Sequence, residues 1–362
     1  MAVRLDPVRL RFPAGDEPNP FILYRTMFYS HHVGRANGLS DSDYVALVRE
    51  LDQAVAAVDG RGFRVTPFGP SQELSGRLGF DASGGVWVKD ETGNVSGSHK
   101  ARHLMGLLIH LEVVERTGMA PVASTAARPL AIASCGNAAL AAAVVARAGG
   151  RTLQVFVPPW ADPPVVERLQ RLGAHLTVCP REEGVPGDPT YHRLQQAIRN
   201  GALPFTCQGP DNGLTIEGGK TLAYEMASQL AQSGGRLDRV FIQVGGGALA
   251  SACIQGLHDA VGLGVLAAMP RIHAVQTQGG YPLRRAYDRV IDEMLRRLDD
   301  GAAPVDDAAR AELLRSPAAA LAVDAGLRHA ATHRREYMWP WEQEPQSIAH
   351  GILDDETYDW LA

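Results

Sequence analysis

Residues 86–102 read Val86-Trp-Val-Lys-Asp-Glu-Thr-Gly-Asn-Val-Ser-Gly-Ser-His-Lys100-Ala-Arg102. A short apolar run gives way to a loop of glycine, asparagine and serine, and the loop ends in a lysine that opens a helical pattern over 100–117. The same strand, turn and helix alternation continues outward. Val86–Lys89, Leu130–Ser134, Leu153–Val157, His175–Val178, Val240–Val244 and Ile272–Gln276 read as buried strands. Helical patterns at Ala138–Ala148, Pro164–Leu172, Tyr191–Asn200, Leu214–Gln232 and Leu249–Val261 follow them. Alternation of this kind predicts an α/β fold built on parallel sheet covered on both faces. Such folds place ligands at the carboxyl ends of strands, where a turn enters a helix.

Composition narrows the setting. At 362 residues with 45% apolar content the chain can bury a core in two domains. A net charge of −5 gives no basic footprint, so nucleic acid is not an expected partner. Cys135, Cys179, Cys207 and Cys253 have no metal-ligand spacing, so no metal is expected, and a reduced, cytoplasmic compartment is. Arg4, Asp6 and Arg9 break the apolar N-terminus, which reads as neither signal peptide nor membrane anchor. The apolar run from Ala138 to Ala146 is too short to span a bilayer. Residues 1–60 read as an N-terminal extension with an amphipathic helix that Ser40 and Asp43 open as a capping box. Residues 181–189 read as a surface loop, and 281–300 as a polar helix whose apolar side is a solvated face or a subunit contact.

Of the 35 basic residues only three are lysines: Lys89, Lys100 and Lys220. Arginine fills every other basic position, yet a guanidinium cannot form an imine and a primary amine can. Lys100 stands where a helix begins, and the positive end of the helix dipole disfavours an ammonium there. That is a setting for an imine-forming lysine; a solvent-facing lysine after a loop would look similar. A second turn, Ser134-Cys135-Gly136-Asn137, also joins a strand to a helix. Its backbone N–H groups suit a carboxylate or phosphate, and the Asn137 amide suits a phenolic or carbonyl oxygen. Its plainer reading is a turn that uses Gly and Asn for positive φ. A third, Gly245-Gly246-Gly247-Ala248, lets backbone wrap a phosphate without side chains in the way. It can also be forced into a dinucleotide fingerprint, but no acidic residue closes the next strand to hold a ribose.

In this order the three motifs resemble those of the fold type II pyridoxal-phosphate enzymes, the tryptophan synthase β-like superfamily. The resemblance spans roughly residues 65–280 and is nearest to threonine synthase and serine/threonine dehydratase. It implies two three-layer parallel-sheet domains facing a cofactor cleft, with pyridoxal 5'-phosphate held as a Schiff base on Lys100. It further implies that Lys100 removes the substrate α-proton, that Ser134, Cys135, Gly136 and Asn137 bind the substrate carboxylate, and that Asn137 bonds the ring oxygen of the cofactor. His99 would lie near the phosphate, which Gly245, Gly246, Gly247 and Ala248 would hold. Thr215-Ile-Glu217-Gly-Gly-Lys220-Thr221 matches a threonine synthase run, so Glu217 and Lys220 are expected to be structural.

The expected domains are the extension at 1–60, a smaller α/β domain at 61–205 with the lysine, and an α/β domain at 206–362 with the phosphate loop. The family's last strand and loop, with a polar residue opposite the pyridine nitrogen, would lie past Ala362; Ser347 is a weak substitute. The expected activity is that of a lyase on a small amino acid, by α-proton abstraction and β- or γ-elimination or replacement, in a homodimer. The rivals are a pyridoxal-phosphate-binding protein without turnover and a nucleotide-binding protein.

Overall fold

A computed structural model describes residues 10–81, 84–120, 127–181, 184–185, 187–298, 306–342 and 346–361. The helices are α1 (Pro20–Leu23), α2 (Tyr29–Ala36), α3 (Asp41–Asp59), α4 (Gln72–Arg77), α5 (Lys100–Arg116), α6 (Asn137–Ala148) and α7 (Pro163–Arg171). They continue as α8 (Pro189–Arg199), α9 (Thr215–Ser233), α10 (Ala248–Gly262), α11 (Pro282–Arg296), α12 (Asp307–Arg315), α13 (Ala320–Thr332) and α14 (Arg334–Tyr337). The strands are β1 (Phe68–Pro70), β2 (Trp87–Lys89), β3 (Leu130–Ala133), β4 (Leu153–Val157), β5 (His175–Val178), β6 (Leu203–Pro204), β7 (Arg239–Gln243) and β8 (Arg271–Val275).

Two compact units result, one of 1–240 with 248–273 and one of 241–247 with 274–362. In the first, the order β5-β4-β3-β6 makes a four-stranded sheet in which every pairing is parallel. β3 and β4 are buried because α6 lies against both and α8 also packs on them. The alanine run of α6 is buried on every side, which lets it pass closely between the sheet and helices α3 and α5. The N-terminal helices share this core: Phe21, Met27, Tyr44, Leu47 and Val55 join Leu104, Leu108 and Val144 in one cluster. Helix α3 begins as its sequence predicts, with the Ser40–Asp43 capping box formed, and ends at Gly60 with φ +82°.

Four strands read as buried need correction, two of them β7 and β8, which are mostly exposed, Phe241 and Val275 included. The apolar run Val86–Lys89 predicts a buried strand of a parallel sheet. Residues 87–89 instead pair antiparallel with β1 in a separate two-stranded sheet, and Trp87 and Val88 are exposed. Their apolar character covers only three positions, too few to distinguish a core strand from a surface ribbon. β5 is a sheet edge, so Val178 is exposed. β1 and β6 gave no sequence signal, being only 3 and 2 residues long. The 181–189 loop falls partly outside the described residues.

The second unit contains the end of β7, the last part of β8 and helices α11–α14. The apolar side of α11, read above as a solvated face or subunit contact, packs within the chain: Val290 and Met294 cluster with Ala330 and Tyr337. Among the described residues no helix is long and apolar enough to cross a membrane, and no cluster of side chains suits a metal ion.

Candidate active site

Lys100 is the first residue of α5 and is half-buried. Its approach loop is held from several sides. Asn94 donates to Glu91 at 2.8 Å and to the Ser98 carbonyl at 3.3 Å, and the Ser96 N–H donates to Asp59 at 2.9 Å. Ser96 has φ +56° and its buried hydroxyl has no partner among the described residues. A serine in the left-handed region persists only where its surroundings fix it. Two residues past Lys100, fully buried Arg102 locks the helix start. It donates to Glu91 (2.7 Å), Thr66 (3.0 Å), Thr221 (3.0 Å) and Glu225 (2.5 Å). Lys89 also pairs with Glu225. Burial pushes Glu225 upward, but Arg102 and Lys89 outweigh it and hold the carboxyl below its ordinary range.

The three lysines thus separate by environment. Lys89 is paired with Glu225 and Lys220 with Asp259 at 3.1 Å. The amine of Lys100 has no hydrogen-bond or ion-pair partner among the described residues.

The Ser134–Asn137 turn leaves the carboxyl end of β3, with the Ser134 N–H donating to the Phe156 carbonyl at 3.2 Å. Gly136, whose N–H donates to the Ser134 hydroxyl at 3.4 Å, stands at the N-cap of α6 with no side chain to cap it, and Asn137 is the exposed first residue of that helix. None of the four residues adopts positive φ, so the plainer reading of Gly and Asn there does not hold. A Cβ on Gly136 would meet nothing within 4 Å, so the glycine leaves open space in front of an uncapped helix N-terminus. The neighbouring β6 carries Cys207 past its end, and the Cys207 thiol lies 3.9 Å from the Lys100 carbonyl. Lys100 and the turn therefore sit at the same edge of the sheet. His99 is next to Lys100, and its Nε2 is buried without a partner among the described residues. Burial first, then the charge of Lys100, holds its pKa well below the usual histidine range.

Gly245, Gly246 and Gly247 belong to the second unit, and Ala248 begins α10 in the first. In the second unit residues 352–359 cover the glycines. Thr357, fully buried, donates to the Gly245 carbonyl at 3.1 Å, and the Asp359 N–H donates to Gly246 at 2.9 Å. Side chains at the glycines would strike Asp354 at Gly245, the Tyr358 ring at Gly246 and Thr357 at Gly247. Gly247 also needs its φ of +96°. The glycines are thus required by close packing, and the carboxylate of Asp354 lies beside the first of them. Thr357 had no sequence signal, because a lone threonine near a chain end has no period or spacing to mark it.

The Thr215–Thr221 run has a structural role for each residue. Gly218 and Gly106 meet where α9 crosses α5, and a Cβ on Gly106 would come within 2.9 Å of the Gly218 Cα. Glu217 accepts the Tyr29 N–H at 3.0 Å, capping α2, and Lys220 pairs with Asp259. Burial pushes Glu217 up to about 7, against the pull of Lys220 and the Tyr29 bond.

Known proteins resemble this chain in family and fold. The family described as "Pyridoxal-phosphate dependent enzyme" matches residues 61–328. L-serine dehydratase of Saccharomyces cerevisiae is 31% identical over 178 residues, 47% of this chain and 50% of that protein. Threonine synthase of Synechocystis sp. is 28% identical over 219 residues, 60% of this chain and 51% of that one. The chain spans about half the length of these curated relatives. Two solved structures share the fold, each at a TM-score of 0.51 and 18% identity. A fungal L-serine ammonia-lyase from Rhizomucor miehei covers 82% of this chain, with 72% of its own length matched. A threonine deaminase from T.th. covers 86%, with 78% of its own length matched. With the match running through the lysine, the open turn and the glycine loop, this chain belongs to the family of pyridoxal-phosphate dependent enzymes.

Proposed function

We propose that this protein is a lyase that acts on a small amino acid by removing its α-proton and then eliminating, or replacing, a β- or γ-substituent. One observation carries the reading: Lys100, whose amine has no partner among the described residues, stands at the sheet edge that also presents the open, uncapped N-terminus of α6. Residues and cofactor fit one another there. Lys100 would hold pyridoxal 5'-phosphate covalently, the Asn137 amide would orient its ring oxygen, and His99 would lie near its phosphate. When bound, the cofactor supplies an electron sink for the carbanion left by proton removal.

The remaining work falls to the chain. The Ser134–Asn137 turn would receive the substrate carboxylate at the N-terminus of α6, helped by the helix dipole. That contact fixes which substrate bond faces the lysine. Lys100, once its amine is free, takes the α-proton at Nζ. Arg102, tied to two carboxylates, keeps the helix start still while this happens. A homodimer in the cytoplasm completes the reading, supported by four free cysteines.

Turnover is tested by supplying the cofactor and assaying 2-oxo acid, ammonia and phosphate release from serine, threonine and O-phosphohomoserine. Activity on one of them should fall by about 10³-fold in Lys100→Ala. Cofactor uptake without turnover on any would favour the non-catalytic binding protein instead.

A further inference from the structure

His103 was not singled out by its sequence, and its place is unusual. It lies on α5 three residues after Lys100 and is fully buried. Its Nδ1 is 2.9 Å from the Thr215 carbonyl. A carbonyl only accepts, so Nδ1 carries the hydrogen and Nε2 carries the lone pair. That Nε2 is buried and has no partner among the described residues, a costly state for a polar atom unless it serves a group nearby. Helical side chains lean toward the N-terminus, and residues three apart share a face. The imidazole therefore lies over the turn that Lys100 opens, with the His99 ring 5.8 Å away and edge-on.

The surroundings define what this nitrogen can do. The titratable and charged groups around it are His99, Lys100 and Arg102, all of its own segment. From the elements packed against it come Thr215 and Gly219 of α9 and Ala252 of α10, none of them titratable; a Cβ on Gly219 would collide with the ring and with Ala252. Arg102 is already engaged by Glu91 and Glu225. Burial and the Lys100 charge hold His103 down at about 3, so it is neutral at working pH. Lys89 and Lys220 contrast with this, since each is fixed by a carboxylate that stabilises the ammonium.

We propose that His103 is a positioning residue for Lys100: its Nε2 lone pair, which takes no hydrogen bond among the described residues, is the acceptor to which the Lys100 side chain turns its amine, without the negative charge that would lock the proton on. The proposal rests on Lys100 being the reactive lysine, and it can be tested without the cofactor.

The full chain would be labelled with trace acetic anhydride across pH, and the peptides holding Lys89, Lys100 and Lys220 quantified by mass spectrometry. His103→Asn keeps a donor for the Thr215 carbonyl but lacks the Nε2 acceptor. His103→Gln keeps an acceptor near the Nε2 position but loses the donor. The Lys100 midpoint should fall by about half a pH unit or more in His103→Asn and stay at the wild-type value in His103→Gln. Lys89 and Lys220, protected by their ion pairs, report whether each variant is folded; if the asparagine variant is not, the glutamine variant decides. A wild-type midpoint in His103→Asn, or a shifted one in His103→Gln, would overturn the proposal and leave His103 as an anchor of α5 on α9. Treating the same samples with pyridoxal phosphate and borohydride tests the reading of Lys100 separately. Failure to attach there defeats that reading while the labelling still decides His103.

Discussion

Arg102 shows how much one side chain can hold. It is buried between Glu91 and Glu225, with Lys89 on the far side of Glu225. Replacing it by methionine keeps the volume but leaves two acids with one amine, so Arg102→Met should cost about 3–5 kcal/mol in urea unfolding. A loss below about 1 kcal/mol would mean that the network is not closed as described. Glu217 supplies a pH dependence. Its carboxyl is raised from 4.5 to about 7, so between those values the unfolded chain has lost a proton that the native chain keeps. Native stability therefore falls as pH rises through that window, by on the order of 3 kcal/mol, and Glu217→Gln should remove the fall. Denaturation at pH 4.5, 6 and 8 checks this, and parallel curves for the two proteins would refute it. At this scale Lys100 drew attention because lysine is so rare here. Arg102 and His103 did not, because an arginine among many arginines and a histidine inside an apolar helix acquire meaning only from partners distant in sequence.

Among elements, the closest fit is the crossing of α5 and α9. A methyl group on Gly218 would collide with the Arg102 carbonyl, so Gly218→Ala should destabilise the protein by about 1–3 kcal/mol and loosen the helix that carries Lys100. A wild-type melting temperature for this variant would contradict so close an approach. Long elements were readable from their periodicity: α3 with its capping box, α5, α6 and the buried strands β3 and β4 stand where apolar spacing puts them. Short ones were not. The 87–89 run is apolar enough for a core strand, but its antiparallel partner is a three-residue segment containing a proline, which no pattern announces. The glycine run at 245–247 was read as backbone that wraps a phosphate with side chains kept out of the way. What forbids them in the second unit, residues 352–359 of the same chain, could not be read because that contact is non-local.

For the whole molecule, strand and helix alternation was enough to give an α/β fold with parallel sheet, and family membership over 61–328 agrees with it. The central claim is that the cofactor of this family is held here by Lys100, and three lysines make it simple to test. The protein would be incubated with pyridoxal phosphate, its near-visible spectrum recorded, the sample reduced with borohydride, and the modified lysine located by mass spectrometry, beside Lys100→Ala. The account predicts an absorption band that reduction bleaches, a single adduct on the peptide holding Lys100, and neither in the variant. An adduct on Lys89 or Lys220, or an unchanged band in Lys100→Ala, would contradict it.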